Sequence, residues 1–504
     1  MTVRCRIAPS PTGPLHIGTA RTALYNFLFA RHEGGTFVLR LEDTDVARST
    51  VAHERDILDG LHWLGLHWDE GPEVAGQPAR GPYAPYRQME RLALYGAAAE
   101  GLLNRDLAYR CYCTREELDA DRAAQEAARR PPRYVGRCAH LSPEQRRSFE
   151  AEGRQPLIRF RVPNGNVAFD DLVRGHVEID TDTLGGDLAI VRSDGTPLYH
   201  FTVVVDDAEM AITHVIRGED HLSNTPKHIL LFRALDADVP AFAHLPLILN
   251  PDRTKMSKRK AETAVQDYRA QGFVPEAMVN FLALLGWASG TEEELFSMNE
   301  LVERFELSRV HSAGAIFDRE RLEWLNGQWL RRLAPDELAE RLAPFLAAHL
   351  ATRRSAGAHV VREAVAEEIA PIVPLVRERL PRLDAIGDLV DFLFVDPITI
   401  DPAQLVPRHW DVSAAIEGLA AARSLIDAQG RVSFEADELE VPLRALAARR
   451  GWKAGDLFMA LRAAVTGRTV SPPLFDSMVA LGPGRTLDRL DAAIAALRAE
   501  MPAA

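Results

Sequence analysis

The sequence predicts an α/β protein: a Rossmann-like, doubly wound parallel sheet, split by an α+β insertion and followed by an all-α C-terminal region. Three observations carry this. The first 40 or so residues read strand, turn, helix, strand. Residues 105–198 leave that rhythm for a cysteine cluster, a polar Arg/Glu/Ala stretch and several short strand-like runs. From about residue 260 onward the chain is rich in Ala, Leu, Arg and Glu, with Pro as punctuation, a helical texture.

The 504 residues exceed what one hydrophobic core organises, so two to five domains are expected. The composition, 47% hydrophobic and 26% charged, is that of a folded globular protein. A net charge of −13 argues against wholesale nucleic-acid binding but permits a local basic face. No apolar run approaches the ~18 residues of a membrane span, and the N-terminus does not read as a secretory signal. Four cysteines exclude a disulfide scaffold and suggest a reducing, cytoplasmic setting.

Taken in order, residues 3–8 read as a first strand and Leu15 to Arg31 as a helix, with apolar Leu15, Ala20, Leu24, Phe27 and Leu28 at helical spacing and Gly34-Gly35 as its stop. "TFVLRLED" reads as the second strand. In such sheets ligands bind at the carboxyl ends of the strands, where the Pro-Ser-Pro-Thr-Gly turn and Glu42, Asp43 and Asp45 would lie. After the insertion, "PLYHFTVVVDDAEMAITHVIRGEDHL" has buried-strand texture at Val203–Val205 and Ile212–Ile216, and Thr225 to Leu235 reads as a helix with a proline in its first turn. Residues 395–410 mark a boundary between two helical units. The resulting division is 1–104 and 199–250 for the two halves of the sheet domain, 105–198 for the insertion, then 251–330, 331–395 and 396–504.

Two motifs carry chemistry. His16 and Gly18 stand at the mouth of the first helix, where unpaired N–H groups and the helix dipole favour phosphate and glycine admits close backbone approach. An isolated H-x-G is more often a surface histidine beside a turn. The second motif changes that balance: "NPDRTKMSKRK" (250–260) places four Lys or Arg within six positions, in a loop just beyond the last expected strand, suited to clamping a triphosphate.

"HIGT" and "KMSKR" resemble the two nucleotide-binding motifs of class I aminoacyl-tRNA synthetases. "RIAPSPTGPLHIGTARTALYNFLFAR", "LRLEDTD", "YHFTVVVDD", "VIRGEDHL" and "FDRERLEWLNGQWL" resemble bacterial glutamyl-tRNA synthetases over nearly the whole chain. Thr19 stands where many class I enzymes carry a second His. The resemblance implies ATP-dependent activation of L-glutamate followed by transfer to the 3′-terminal adenosine of tRNA. It implies His16, Lys255, Lys258 and Arg259 as the groups offsetting phosphate charge, with Gly18, Thr19 and Asp220 beside ATP and Mg²⁺ accompanying it. Glutamate needs a guanidinium for its side chain and an acid for its amine. The resemblance places Arg6, Ser10, Glu42, Tyr199 and Arg217 there. Residues 105–198 would cradle the tRNA acceptor end, 251–330 would contact its stem, and 331–504 would bind the anticodon, with Arg377, Arg379 and Arg382 on one helix and either of the first two near the third anticodon base. The partners implied are tRNA(Glu) and glutamate, with charging of tRNA(Gln) left open and a monomer expected.

Cys111, Cys113, Cys138 and His140 form two tight pairs, C-x-C and C-x-H, 24 residues apart. Thiolates and an imidazole suit a structural tetrahedral Zn²⁺, one per monomer, and Tyr134 competes with His140 as the fourth ligand. Cys5, in the first strand, reads as a buried hydrophobe. A tRNA-free nucleotidylyltransferase, a truncated paralogue that glutamylates a tRNA base, a non-catalytic tRNA-binding descendant and a glutaminyl enzyme are the rivals. The long helical tail and the intact motifs weigh against each.

Overall fold

The computed structural model describes residues 2–74, 76–256, 263–430 and 433–500, with the backbone alone at 429 and 430. The chain forms two compact units: Met1–Arg269 with Pro275–Arg319, and Ala270–Val274 with Glu320–Ala504.

The first unit is built on eleven strands: β1 (Arg4–Ile7), β2 (Thr36–Leu39), β3 (Ala108–Cys111), β4 (Leu157–Phe160), β5 (Asn166–Asp171), β6 (Gly175–Asp180), β7 (Leu188–Val191), β8 (His214–Gly218), β9 (Ala241–Leu245), β10 (Ile248–Leu249) and β11 (Ala315–Ile316). The main sheet runs β2-β1-β8-β9-β5-β6. Its pairs are parallel except for the β5–β6 hairpin. β2 (TFVL) is a nearly continuous apolar run, as befits a strand buried on both faces, whereas β1 (RCRI) alternates in character although Cys5, Arg6 and Ile7 are all buried.

Helix α1 (Ile17–His32) follows β1 and is buried on nearly every side, Ala23 through Ala30 without a break. It is covered from outside by the helices Pro275–Leu284 and Met298–Arg304. A helix enclosed this way needs no amphipathic stripe.

Two sequence readings change here. Val203–Val205 lie in helix α2 (Tyr199–Glu209), not in a strand. A short, continuous apolar run has no period of its own, and α2 is buried against neighbouring helices, so both faces are apolar. The insertion is also not wholly apart from the main sheet. Its β3-β4-β7 sheet is separate, but the β5–β6 hairpin extends the main sheet beyond β9. Helix α3 (Thr225–Ala234) begins and ends within a residue of the expected range, with Pro226 in its first turn.

Helices dominate the second unit, from Arg319–Arg332 and Pro335–Ser355 to Pro483–Ala499. Between Ile386–Phe394 and Val412–Gly430 the backbone holds only a 3-10 turn, Pro402–Leu405. Among the described residues no helix is long and apolar enough to cross a membrane.

Candidate active site

The chain reverses its course of strand addition between β1 and β8: α1 leads outward to β2, α3 outward to β9. At the carboxyl ends of these strands lies a cavity of about 390 Å³. A crevice at such a switch point is where open α/β sheets bind ligands. Its walls contain Arg6, Ser10, His16, Gly18, Thr19, Glu42, Tyr199, Arg217, Asp220 and Lys255, ten sequence-predicted residues brought together from separate stretches of chain.

His16 caps α1. Its Nδ1 accepts from the Gly18 N–H at 2.9 Å, which fixes the proton of the neutral ring on Nε2. Gly18 serves this turn: a Cβ there would stand 3.3 Å from Nδ1. The helix mouth is therefore less open than the sequence suggests, since the Gly18 N–H is taken by His16 and the Ile17 N–H donates to Thr263 O.

The charges behind the cavity are ordered. Arg6 donates to both oxygens of Asp207, at 3.1 and 3.2 Å. Arg40, fully buried, pairs with Asp207 at 2.7 Å, Glu42 at 3.3 Å and Asp206 at 3.4 Å. Arg91 closes the set on Asp206 at 2.7 Å. Sequence reasoning missed Arg40, Arg91, Asp206 and Asp207. The signal was two adjacent aspartates inside an apolar run, which a buried helix tolerates only with cationic partners. Burial pushes the Glu42 carboxyl up, with Arg40 and Arg6 pulling against it.

Arg217 differs. It is buried, yet it donates to His244 Nε2 (3.2 Å), His228 Nδ1 (3.1 Å) and Thr225 Oγ1 (2.8 Å), and among the described residues it has no carboxylate within ion-pair distance. Burial lowers its pKa to about 10. Tyr199 Oη shares a 3.0 Å hydrogen bond with His221 Nδ1. At the rim, Lys255 Nζ lies 3.5 Å from Asp220 Oδ2. Lys258 and Arg259 lie outside the described residues.

Comparison with known proteins decides the family. The catalytic domain of class I tRNA synthetases (E and Q) matches residues 2–324. The chain belongs to that family. An anticodon binding domain matches residues 337–494. The chain is 46% identical to a glutamate–tRNA ligase of Symbiobacterium thermophilum over 97% of its length and 99% of the relative's, and 46% identical to one of Heliobacterium modesticaldum over 97% and 96%. A crystal structure of a glutamate tRNA ligase from Elizabethkingia meningosepticum in complex with its amino acid superposes with a TM-score of 0.85 at 35% identity, covering 99% of this chain and all of that one.

The synthetase fold carries a second constellation in the insertion. The sulfurs of Cys111, Cys113 and Cys138 lie within 4.8 Å of one another. A tetrahedral zinc with Zn–S near 2.3 Å needs sulfurs about 3.8 Å apart, so the set fits with small movements. Hydrogen bonds from the other two thiols pull the Cys111 thiol down, while Cys113 and Cys138 are themselves pushed up. His140 is exposed and outside this cluster. The Tyr134 hydroxyl stands there instead, 3.3 Å from Cys111 Sγ and 3.7 Å from Cys113 Sγ, its ring held under Arg159. Of the two candidate fourth ligands, the structure brings the Tyr134 hydroxyl up to the sulfurs and leaves His140 outside the cluster. Cys5 is buried as expected, its thiol raised to about 12 by burial.

In the anticodon-binding region the three arginines do not share a helix. The segment is a single α-turn, Val373–Val376, followed by the 3-10 turn Arg377–Arg379, and Pro381 stops it there. Arg377 donates to Leu333 O, Arg382 pairs with Glu323 and Asp384, and Arg379 is exposed.

Proposed function

We propose that the chain joins L-glutamate to tRNA(Glu) in two steps. An oxygen of the glutamate α-carboxylate attacks the α-phosphorus of ATP, and the P–O bond to pyrophosphate breaks. A ribose hydroxyl of the terminal adenosine of tRNA then attacks the acyl carbon, and AMP leaves. The single observation carrying this reading is Arg217: a buried guanidinium without a carboxylate partner, facing a cavity at a helix mouth, calls for an anionic side chain.

Glu42 receives the substrate ammonium, with Arg6 and Tyr199 on the carboxylate side and Ser10 at the rim. His16 Nε2–H donates to the α-phosphate, and the α1 N-terminus at Thr19 adds its dipole. Lys255 and Asp220 flank the nucleotide; Lys258 and Arg259 of the "KMSKR" motif are offered for the phosphates, and Mg²⁺ travels with ATP. Little covalent work falls on the protein, whose task is alignment and charge. Cys111, Cys113, Cys138 and Tyr134 would hold a zinc that ties the insertion together and supplies rigidity there, not catalysis. Arg379, with Arg377 behind it, is offered for the anticodon. A cytoplasmic monomer, with tRNA(Gln) as a second acceptor to be tested, completes the reading.

The test is glutamate-dependent ATP–pyrophosphate exchange with and without tRNA(Glu), for the parent and Arg217→Ala. Exchange that requires tRNA supports the reading. Arg217→Ala is expected to lower kcat/KM for glutamate by about 100-fold or more, the loss of a buried charge contact. Exchange without tRNA points to the chemistry of the truncated paralogue. No exchange, with glutamine also inert, sinks the enzymatic reading.

A further inference from the structure

Of the buried guanidiniums around the cavity, Arg6 and Arg40 are neutralised by carboxylates, whereas Arg21, held by the Leu285 and Pro246 carbonyls, and Arg217, held by histidines, are not. Arg6 and Arg40, with Arg91 beyond them, are matched by Glu42, Asp206 and Asp207, three cations against three anions. Arg217 is left with its charge unmatched, and a buried charge without a counter-ion is costly unless something requires it. Its N–H groups are nevertheless satisfied. The acceptors are His244 Nε2, His228 Nδ1, the Thr225 hydroxyl and, at 3.4 Å, His221 O, all of them uncharged.

The proton positions follow from the network. His244 Nδ1 lies 2.5 Å from Asp171 Oδ2 and holds the proton that it donates there, leaving at Nε2 a lone pair that faces both Arg217 Nε, at 3.2 Å, and the Thr225 hydroxyl, at 2.9 Å. His228 Nε2 lies 3.1 Å from His200 Nδ1, to which it donates, leaving its Nδ1 lone pair for Arg217. Both rings are buried, and burial with the neighbouring Arg217 charge disfavours protonation of each, at His244 against the opposing pull of Asp171. Asp171 stands a full imidazole away from the guanidinium. Glu42 and Asp207 act on Arg217 only at longer range and are already paired with Arg40 and Arg6.

We infer that His228 and His244 are positioning residues that set the substrate charge the pocket accepts: they aim Arg217 through neutral ring nitrogens, so that its whole positive charge is left for the side-chain carboxylate of the bound amino acid. The inference rests on the proposed glutamate site. A carboxylate at either position would hold the same N–H groups more strongly, but would balance Arg217 internally. Glutamate, with one net negative charge, then loses its advantage over neutral glutamine. Discrimination by an unpaired buried group is the strongest kind available to a pocket of this size.

The contrast to measure is His228→Asn against His228→Asp in the full chain, by tRNA-dependent exchange. Asn places an amide oxygen close to the Nδ1 lone pair. Asp has the same shape and adds a negative charge. The expected result is a glutamate KM within about threefold of the parent for Asn and at least about tenfold higher for Asp, with the ATP KM within about twofold in both. Inhibition by glutamine relative to glutamate strengthens by a similar factor in Asp alone. Equal effects of the two substitutions, or an Asp effect that falls on ATP, overturns the inference. Should either variant fail to fold, His244→Gln against His244→Glu gives the same contrast at Nε2, with the same outcomes. A parent without glutamate-dependent exchange refutes the functional reading instead, before any variant is compared.

Discussion

Asp207 stands between two buried guanidiniums, and its removal leaves Arg6 unmatched and Arg40 with only its longer contacts to Glu42 and Asp206. Asp207→Asn is expected to destabilise the first unit by about 3 kcal/mol, the usual result of breaking a buried pair from one side. The pH dependence has a definite sign. Burial pushes the Asp207 carboxyl up, Arg6 and Arg40 pull it down, and the net shift is downward. A depressed carboxyl contributes stability that is present above its unfolded value and lost as pH falls through its folded value. The gap between parent and variant therefore narrows below about pH 4. Urea midpoints at neutral pH and near pH 3.5 test this; a gap that stays constant or widens in acid contradicts it. At this scale Arg6, Glu42 and Arg217 were legible in the sequence, because a known motif frames each. Arg40 and Asp207 were not, because their meaning lies in each other and they are 167 residues apart.

The insertion illustrates what an element's path adds to its composition. The C-x-C pair sits at the end of β3, and the third cysteine is brought to it by a turn whose Tyr134 is anchored through its own N–H to Gly185 O. The sequence names both His140 and Tyr134 as fourth ligands, and spacing alone does not separate them. The nearness of the Tyr134 hydroxyl to Cys111 and Cys113 favours Tyr134. Tyr134→Phe is expected to weaken zinc at least about tenfold, while His140→Ala leaves it within about twofold, as read by competition with a chromophoric chelator. The reverse order would restore His140. The same limit applies to α2. Its apolar run was legible as buried, but its period was not, since a helix enclosed on all sides gives no stripe to read. Likewise the β5–β6 hairpin has clear strand texture, and only its pairing with β9 reveals which sheet it serves.

At the scale of the whole molecule, a net charge of −13 gives no hint of a polynucleotide partner, because charge is counted over the chain whereas recognition is local. The two-part organisation is the more informative feature. The candidate substrate cavity belongs to the first unit, and the anticodon-binding match covers most of the second. Each has its own buried core, so calorimetry should resolve two transitions. Glutamate and ATP, each at about 100 times its Kd, stabilise only the unit that binds them, by about 2.7 kcal/mol for each ligand that binds independently. The second unit can be marked independently. Gly387 lies where a Cβ would come within 2.8 Å of the Cβ of His349 and closer still to its ring, so the helices Ile386–Phe394 and Pro335–Ser355 meet through a glycine. Gly387→Ala should cost about 1–3 kcal/mol by overpacking, lowering the second transition by several degrees. The ligand-shifted transition stays where it is in that variant. One cooperative transition, moved alike by substrates and by Gly387→Ala, would show that the adenylation and anticodon units melt as a single body, and the first unit's stability would then have to be measured in the presence of the second.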